Sequence, residues 1–326
     1  MPNVTIGTPQ ASNTLLGILQ SNDRNLADFI VDDILESAPF LAAAYTQTAT
    51  GKVEHKFEVE VEAPGVGFRE VNTGRDNAAG KSKIVTIALM LLDASFERDV
   101  ALALASTKGI EGYMASEGRK SLRAAFATLD RQLIRGTGAV ADGFYGMNDF
   151  LEKFNPDMQI IKGSAAGSSV YMGRFGEDAV SVITGNDGEL LVDDIKDVLA
   201  YDSSNKPYNA LSLPILGWLG LQVAGSKNLA RLANVPQSGE GTLDDKMLAE
   251  LLMKFPSAVT PNFVLMSRFD AANLASSRTA TNPTGTPAPI PTVWDLGGTP
   301  MRIIIDDNVK TDEVVTTTTT TTTSGD

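Results

Sequence analysis

Between Lys52 and Glu62 the chain alternates with a period of two. Val53, His55, Phe57, Val59 and Val61 fall on one side, and Lys52, Glu54, Lys56, Glu58, Glu60 and Glu62 on the other. Successive side chains of a strand point to opposite faces, so the pattern predicts one strand with an apolar face and a charged face. At about 3.3 Å per residue it would extend roughly 36 Å, longer than most strands. A second apolar strand is expected over Ile84 to Leu92, after a connector of some twenty residues containing Gly and Asn. In compact domains connectors longer than about 12 to 15 residues usually mark function or disorder, so the two strands predict a projecting β arm. Pairing two strands edge to edge leaves their faces uncovered, and the apolar face of such an arm needs cover from another subunit.

Helical periodicity governs the flanking segments. The first twenty residues are small and polar with scattered Leu, which suits an extended N-terminal arm. Leu26, Phe29, Ile30, Ile34 and Leu35 predict a helix over Leu26 to Glu36, closed by Pro39. Asp93 is expected to cap a helix bearing Phe96, Val100 and Leu104, with Gly109 ending it. A longer helix is expected from Ser116 to Arg135, with Leu122, Phe126, Leu129 and Leu133 on one stripe and a stop at Gly136. At 100° per residue Lys120, Arg123, Arg131 and Arg135 lie opposite that stripe and form a basic face.

After Phe150 the pattern shortens to strands and turns. Strands are expected over Ser169 to Phe175, Val180 to Thr184 and Leu190 to Val192, the last two joined as a hairpin by Asn186-Asp187-Gly188. More apolar strands follow between Pro207 and Val235. A helix over Thr242 to Phe255 would use a Thr242/Asp245 capping pair. Phe263 to Met266 predicts a buried strand, with Ser267 and Asp270 opening a helix, and Ile290 to Asp295 with Met301 to Ile305 a hairpin. Eight consecutive threonines, Thr316 to Thr323, offer nothing to a core and predict a mobile tail.

Chemistry is sparsely represented. There is no cysteine and a single histidine, His55, which is expected to be a strand-face residue, so thiolate chemistry and histidine-rich metal sites are excluded. No G-x-S-x-G pentapeptide and no P-loop occurs, and Gly136-Thr137-Gly138 follows a helix where a dinucleotide loop must follow a strand. Asp193-Asp194 and Asp306-Asp307 lack a spaced carboxylate ladder and are expected to be solvated turn residues. The expectation is a chain that is not an enzyme, with no cofactor and no metal. A net charge of -13 argues against gripping nucleic acid through one broad basic surface. The basic helix face Lys120, Arg123, Arg131, Arg135 is either a solvated surface or a patch facing confined DNA. No run of about 18 uncharged apolar residues occurs, so the chain is expected to be soluble and without a membrane partner.

Taken in order, these segments resemble a tailed-bacteriophage major capsid protein of the Hong Kong 97-type fold, in a podophage-like branch. Leu15-Leu16 is similar to the N-terminal arm. Gly67-Phe68-Arg69-Glu70-Val71-Asn72-Thr73-Gly74, then Lys81-Ser82-Lys83 and the strand to Leu92, resemble the extended loop. Ala127-Thr128-Leu129-Asp130-Arg131-Gln132-Leu133-Ile134-Arg135-Gly136-Thr137-Gly138 with Gly143-Phe144-Tyr145-Gly146 resemble the spine helix and its exit turn. Val170-Tyr171, Gly176-Glu177-Asp178 and Arg231-Leu232-Ala233-Asn234 are similar to an axial domain. Phe263 to Arg268 and Gly298 to Asp307 are similar to closing strands of a peripheral domain.

The resemblance implies an α+β fold divided as follows: 1–45 N-terminal arm and short helix, 46–92 extended loop, 93–155 peripheral domain with the spine helix, 156–240 axial domain, 241–315 the rest of the axial domain with the closing peripheral strands, and 316–326 the Thr-rich tail. It implies a subunit that forms hexamers and pentamers of an icosahedral shell around double-stranded DNA, located in the virion capsid and assembled in the host cytoplasm. The implied inter-subunit residues of the extended loop are Phe57, Val59, Val61, Phe68, Arg69, Asn72, Lys81 and Lys83. The implied partners are other copies of the chain, a separate scaffolding protein (the long N-terminal scaffolding segment of some members is missing here, or was already removed), a portal and a decoration protein. Some members crosslink a lysine to an asparagine, but nothing identifies the partners of Lys81 or Lys83. The same subunit fold could instead build an encapsulin-like compartment around protein cargo. A hydrolase, or a small-ligand module, would need a convergent polar constellation that the motifs do not supply.

Overall fold

The computed structural model describes residues 37–62, 64–74, 79–188, 190–281, 286–296 and 298–316. The helix expected over Leu26 to Glu36 lies outside them, as do Glu189, Gly297 and the tail from 317. Chain order begins with a short helix α1 (Pro39–Ala43), strand β1 (Thr46–Thr48), and the antiparallel pair β2 (Glu54–Glu62) and β3 (Lys81–Ala88). Next come β4 (Met90–Asp93), β5 (Phe96–Asp99), α2 (Val100–Ala105), α3 (Gly109–Arg135) and α4 (Met147–Lys153). Pro39 opens α1 where it was expected to close a helix, because the first helical residue needs no N–H partner. Asp99, not Asp93, caps α2, accepting from the Ala101 N–H at 2.8 Å. Asp93 instead ends a strand that pairs with residues 216–219.

The long helix α3 runs 27 residues, seven beyond its expected start, and presents Met114, Gly118, Leu122, Phe126, Leu129 and Leu133 to the interior. It ends where expected. Gly136 has φ of 60°, and a Cβ there would lie 1.8 Å from Asp149 Oδ2, so only glycine fits. Asp149 accepts from the Thr137 N–H at 2.6 Å and from the Thr137 hydroxyl at 2.5 Å, which makes Gly136-Thr137-Gly138 a helix exit tied to α4. Asp149 is held below the usual carboxylate range by these bonds, against its own burial.

The remaining strands are β6 (Gln159–Ile161), β7 (Ser168–Gly173), β8 (Val180–Thr184), β9 (Leu191–Val192), β10 (Lys196–Tyr201), β11 (Pro207–Leu213), β12 (Ile215–Val223) and β13 (Leu229–Val235). Helix α5 (Asp245–Leu252), strand β14 (Phe263–Met266), helix α6 (Arg268–Thr281) and strands β15 (Val293–Asp295) and β16 (Pro300–Ile305) complete the described chain. Asp244 caps α5 through the Met247 N–H at 2.8 Å, replacing the expected Thr242/Asp245 pair. The hairpin expected between β8 and β9 does not form: both pair side by side with the long strand β12, whose register absorbs them in succession. The hairpin expected near the C-terminus is present, with Trp294 opposite Met301.

These strands form three sheets besides the β2–β3 ribbon: β1-β8-β12-β4 with β9 also on β12; β10-β11-β5; and β15-β16-β14-β7-β13-β6. The six-stranded sheet draws on both sides of residue 240. Its strands β7, β13 and β14 are buried along their whole length, as expected for strands covered on both faces.

Arg231 lies within this sheet with no exposure, donating to Ser169 Oγ from Nε at 3.0 Å and pairing with Glu152 at 3.1 Å and with Glu313. Glu313 also exchanges backbone hydrogen bonds with Gly167 at 3.0 Å in both directions, and Val315 is held by the Asn234 carboxamide through its N–H and its C=O, each at 2.8 Å. The C-terminal end of the described chain is thus bolted to the sheet edge by a buried cation and a buried amide.

Candidate assembly surface

The ribbon β2–β3 starts from a fixed root. His55, expected as a strand-face residue, is buried there. Its Nδ1 accepts the Thr50 N–H at 3.2 Å, which leaves Nε2 to donate to Gln222 Oε1 of β12 at 2.6 Å. The bland assignment of His55 to a structural role holds, and the tautomer is fixed by its two partners. Gly220 of β12 allows this close seat, since a Cβ there would meet Leu89 Cδ2 at 2.7 Å.

Outward from the root, cover thins. His55 opposes Ile87, Phe57 opposes Val85, and Val59 opposes Lys83, so these side chains share one face. Phe57, Val59, Val85 and Ile87 are half-buried, Phe57 by stacking on the His55 ring at 6.0 Å. Lys81 and Lys83 are exposed. Val61 belongs to β2, and its side chain lies outside the described residues. The ribbon face is therefore partly covered by its own chain, more than the alternating pattern alone suggested.

Among the described residues the three most exposed large apolar side chains lie at the tip. Val66 is 91% exposed, Phe68 fully so and Val71 89%. These residues are held in a built turn: Asn72 takes the left-handed conformation at φ 70°, which Asn tolerates better than most side chains. The Thr73 hydroxyl donates to the Glu70 carbonyl at 2.7 Å, and Arg69 donates to the Thr73 carbonyl at 2.8 Å. Arg69 and Asn72 thus shape the tip, and Phe68 is what it displays. Sequence reasoning missed Val66 and Val71 as members of this set. Their signal was three apolar residues in a Gly/Pro-flanked loop with no periodicity to bury them.

The basic face of α3 is less continuous than its spacing implied. Lys120 is exposed but paired with Glu117 at 2.6 Å, and Glu117 also binds Arg98 at 2.8 Å. Glu117 lies below the ordinary glutamate range because Lys120, then Arg98, hydrogen-bond its charged form. Arg123 and Arg131 are exposed. Arg135 is half-buried and turns inward, its Nε donating to the Asn308 carbonyl at 2.6 Å. Burial, followed by the nearby Arg131 charge, lowers its pKa. Of the two acidic pairs expected to be solvated, Asp193 binds Lys196 and Asp194 is exposed, whereas Asp306 is buried and accepts backbone N–H groups from Phe40 at 3.2 Å and Asn308 at 2.8 Å. Its burial comes from α1 folding over the end of β16.

A spine helix, a root-anchored ribbon with an apolar tip and a six-stranded sheet that joins strands from both sides of residue 240 define a shell-building subunit of the Hong Kong 97-type capsid fold. The structure of bacteriophage Epsilon15 matches with a TM-score of 0.57 at 15% identity, covering 95% of this chain and 99% of that one. The bacteriophage JBD30 capsid matches with a TM-score of 0.55 at 10% identity, covering 81% of this chain and 88% of that one. No curated protein sequence matches the chain. The family model for major capsid protein GP7 matches residues 22–264, and the chain belongs to that family. It is a structural subunit of a phage capsid and not an enzyme.

Proposed function

We propose that the subunit builds its shell by laying the β2–β3 ribbon on a neighbouring copy, with Phe68, Val66 and Val71 entering an apolar site there. The observation that carries this is the near-complete exposure of those three side chains, beside a turn over residues 70–73 that three hydrogen bonds hold. Phe57, Val59, Val61, Lys81 and Lys83 then line the flank of the same contact. The domain division follows: arm and extended loop reach outward, the peripheral part holds the spine helix, and the axial part surrounds the capsomer centre.

Copies arrange as hexamers and pentamers of an icosahedral shell around double-stranded DNA, which the shell holds by confinement. Arg123 and Arg131 are exposed on the spine-helix face that would look toward it. Assembly takes place in the host cytoplasm with a separate scaffold, a portal and a decoration protein. The test is size-exclusion chromatography with light scattering and negative-stain microscopy of the purified protein across salt and scaffold conditions. Capsomers, tubes or shells are expected. A strict monomer in every condition would remove the proposal.

A further inference from the structure

Helix α1 has no capping side chain of its own, since its N-cap is Ala38. Its first amides are capped from far away in sequence. Leu41 N–H donates to Asp130 Oδ1 of α3 at 2.8 Å and Phe40 N–H to Asp306 Oδ2 at 3.2 Å. Asn308 closes the cluster, its Nδ2 donating to Asp130 Oδ2 at 2.9 Å and its backbone N–H to Asp306 Oδ1 at 2.8 Å. Asp130 and Asp306 are 0% and 1% exposed, and their shared partners, the consecutive amides of Phe40 and Leu41 and the two donors of Asn308, bring their carboxyl groups together. Two ionised carboxylates are acceptors only and repel each other in a buried site, so their juxtaposition favours a proton on one of them.

Among the described residues no cation takes the place of that proton. Helix α1 carries no titratable side chain. On α3, Arg131 is exposed and Arg135 is bound to the Asn308 carbonyl at 2.6 Å. Beyond β16, Asp307 pairs with Arg268 of α6 at 3.6 Å in solvent, and Lys310 is half-exposed. No ion pair among the described residues involves Asp130 or Asp306.

We propose that Asp130 holds a proton beside Asp306 and that the pair forms a pH-sensitive latch holding α1, the root of the N-terminal segment, against the spine helix and the end of β16. Loss of the proton places two like charges side by side in a site with only neutral donors. Their repulsion separates α3 from β16, and α1, bridging both, loses its caps.

Asp130 is pushed up to about 9, first by burial and then by the adjacent Asp306. Its folded value stands above the ordinary 3.8, so the latch's contribution is complete below about pH 4 and is lost as pH rises to about 9. Over that window the folding equilibrium constant should fall by up to tenfold per pH unit, relative to a variant with no proton to lose.

The experiment pairs infrared spectroscopy of the intact protein with thermal and denaturant melts across this pH range, on the natural chain and on Asp130→Asn. The carboxamide of Asp130→Asn can donate to Asp306 in place of the proton and accept from Leu41, with the Asn308 amide turned over. A protonated-acid carbonyl stretch should be present at neutral pH, disappear as pH passes about 9, and be missing from the variant, whose stability should vary less with pH. Should Asp130→Asn fail to fold, Asp306→Asn makes the same comparison, and the infrared band of the natural chain needs no variant. Absence of that band at neutral pH, or an equal pH slope in natural and variant chains, overturns the latch. Neither readout depends on shell assembly, so the latch and the ribbon docking fail separately.

Discussion

Replacing Val66, Phe68 and Val71 together by Ser should stop particle formation while leaving the subunit as stable as before. All three side chains are almost wholly in solvent in the isolated subunit, so removing them takes nothing from its core. Changes at such positions usually stay within about 0.5 kcal/mol. Full burial of a Val or Phe contributes roughly 1.5 to 3 kcal/mol, so covering the three on a neighbour would contribute about 5 to 8 kcal/mol per arm, an upper value that ordering costs reduce. Repeated over every contact of a closed shell, a fraction of that determines whether shells form. The tip is a cleaner target than Phe57 and Val59, which are half-buried within the ribbon and would change subunit stability as well. Particle yield is read by sedimentation, and subunit stability by thermal melt. Normal yield from the triple variant refutes tip docking. A melt lowered by several degrees would show instead that the tip packs on its own subunit.

Two further outcomes follow from the C-terminal bolt. Arg231→Leu leaves the half-buried Glu313 carboxylate without its cation, and should cost about 3 kcal/mol in denaturant unfolding, the low end for breaking a buried pair; a loss under about 1 kcal/mol would show that the network is not holding the sheet. A chain ending at Thr316 should melt like the full chain, since the remaining threonines bring no apolar surface, whereas one ending at Asp312 loses the Glu313 and Val315 contacts and should melt several degrees lower.

How far these features could be foreseen depends on whether the signal was local. The stripe of α3 and its Gly136 stop were legible because period and helix-ending chemistry are properties of neighbouring residues. The ribbon was legible from eleven alternating residues. What failed was anything decided by distant partners. Asp93 and Asp99 are equally good caps in sequence, and pairing of residues 90–93 with β12 selects Asp99. His55 looked exposed because its neighbours are charged, yet Gln222, 167 residues away, covers it. Asp306 looked like a turn residue because its burial depends on α1, whose Phe40 lies 266 residues earlier. Asn186-Asp187-Gly188 does turn the chain, with φ of 60° at Asp187, but the strand after it pairs with β12, because the longer apolar strand offers an edge to both. In the candidate site, the ribbon flank followed from alternation, while the dominance of the tip needed exposures that only the folded chain provides.

The central claim is that the ribbon of one copy is covered by another. Cryo-electron microscopy of assembled particles tests it directly. Each β2–β3 ribbon should cross onto an adjacent subunit with the Phe68 ring enclosed between the two chains, His55 still seated on Gln222 of its own β12. Particles in which Phe68 remains in solvent, or in which the ribbon folds back onto its own subunit, would contradict the account.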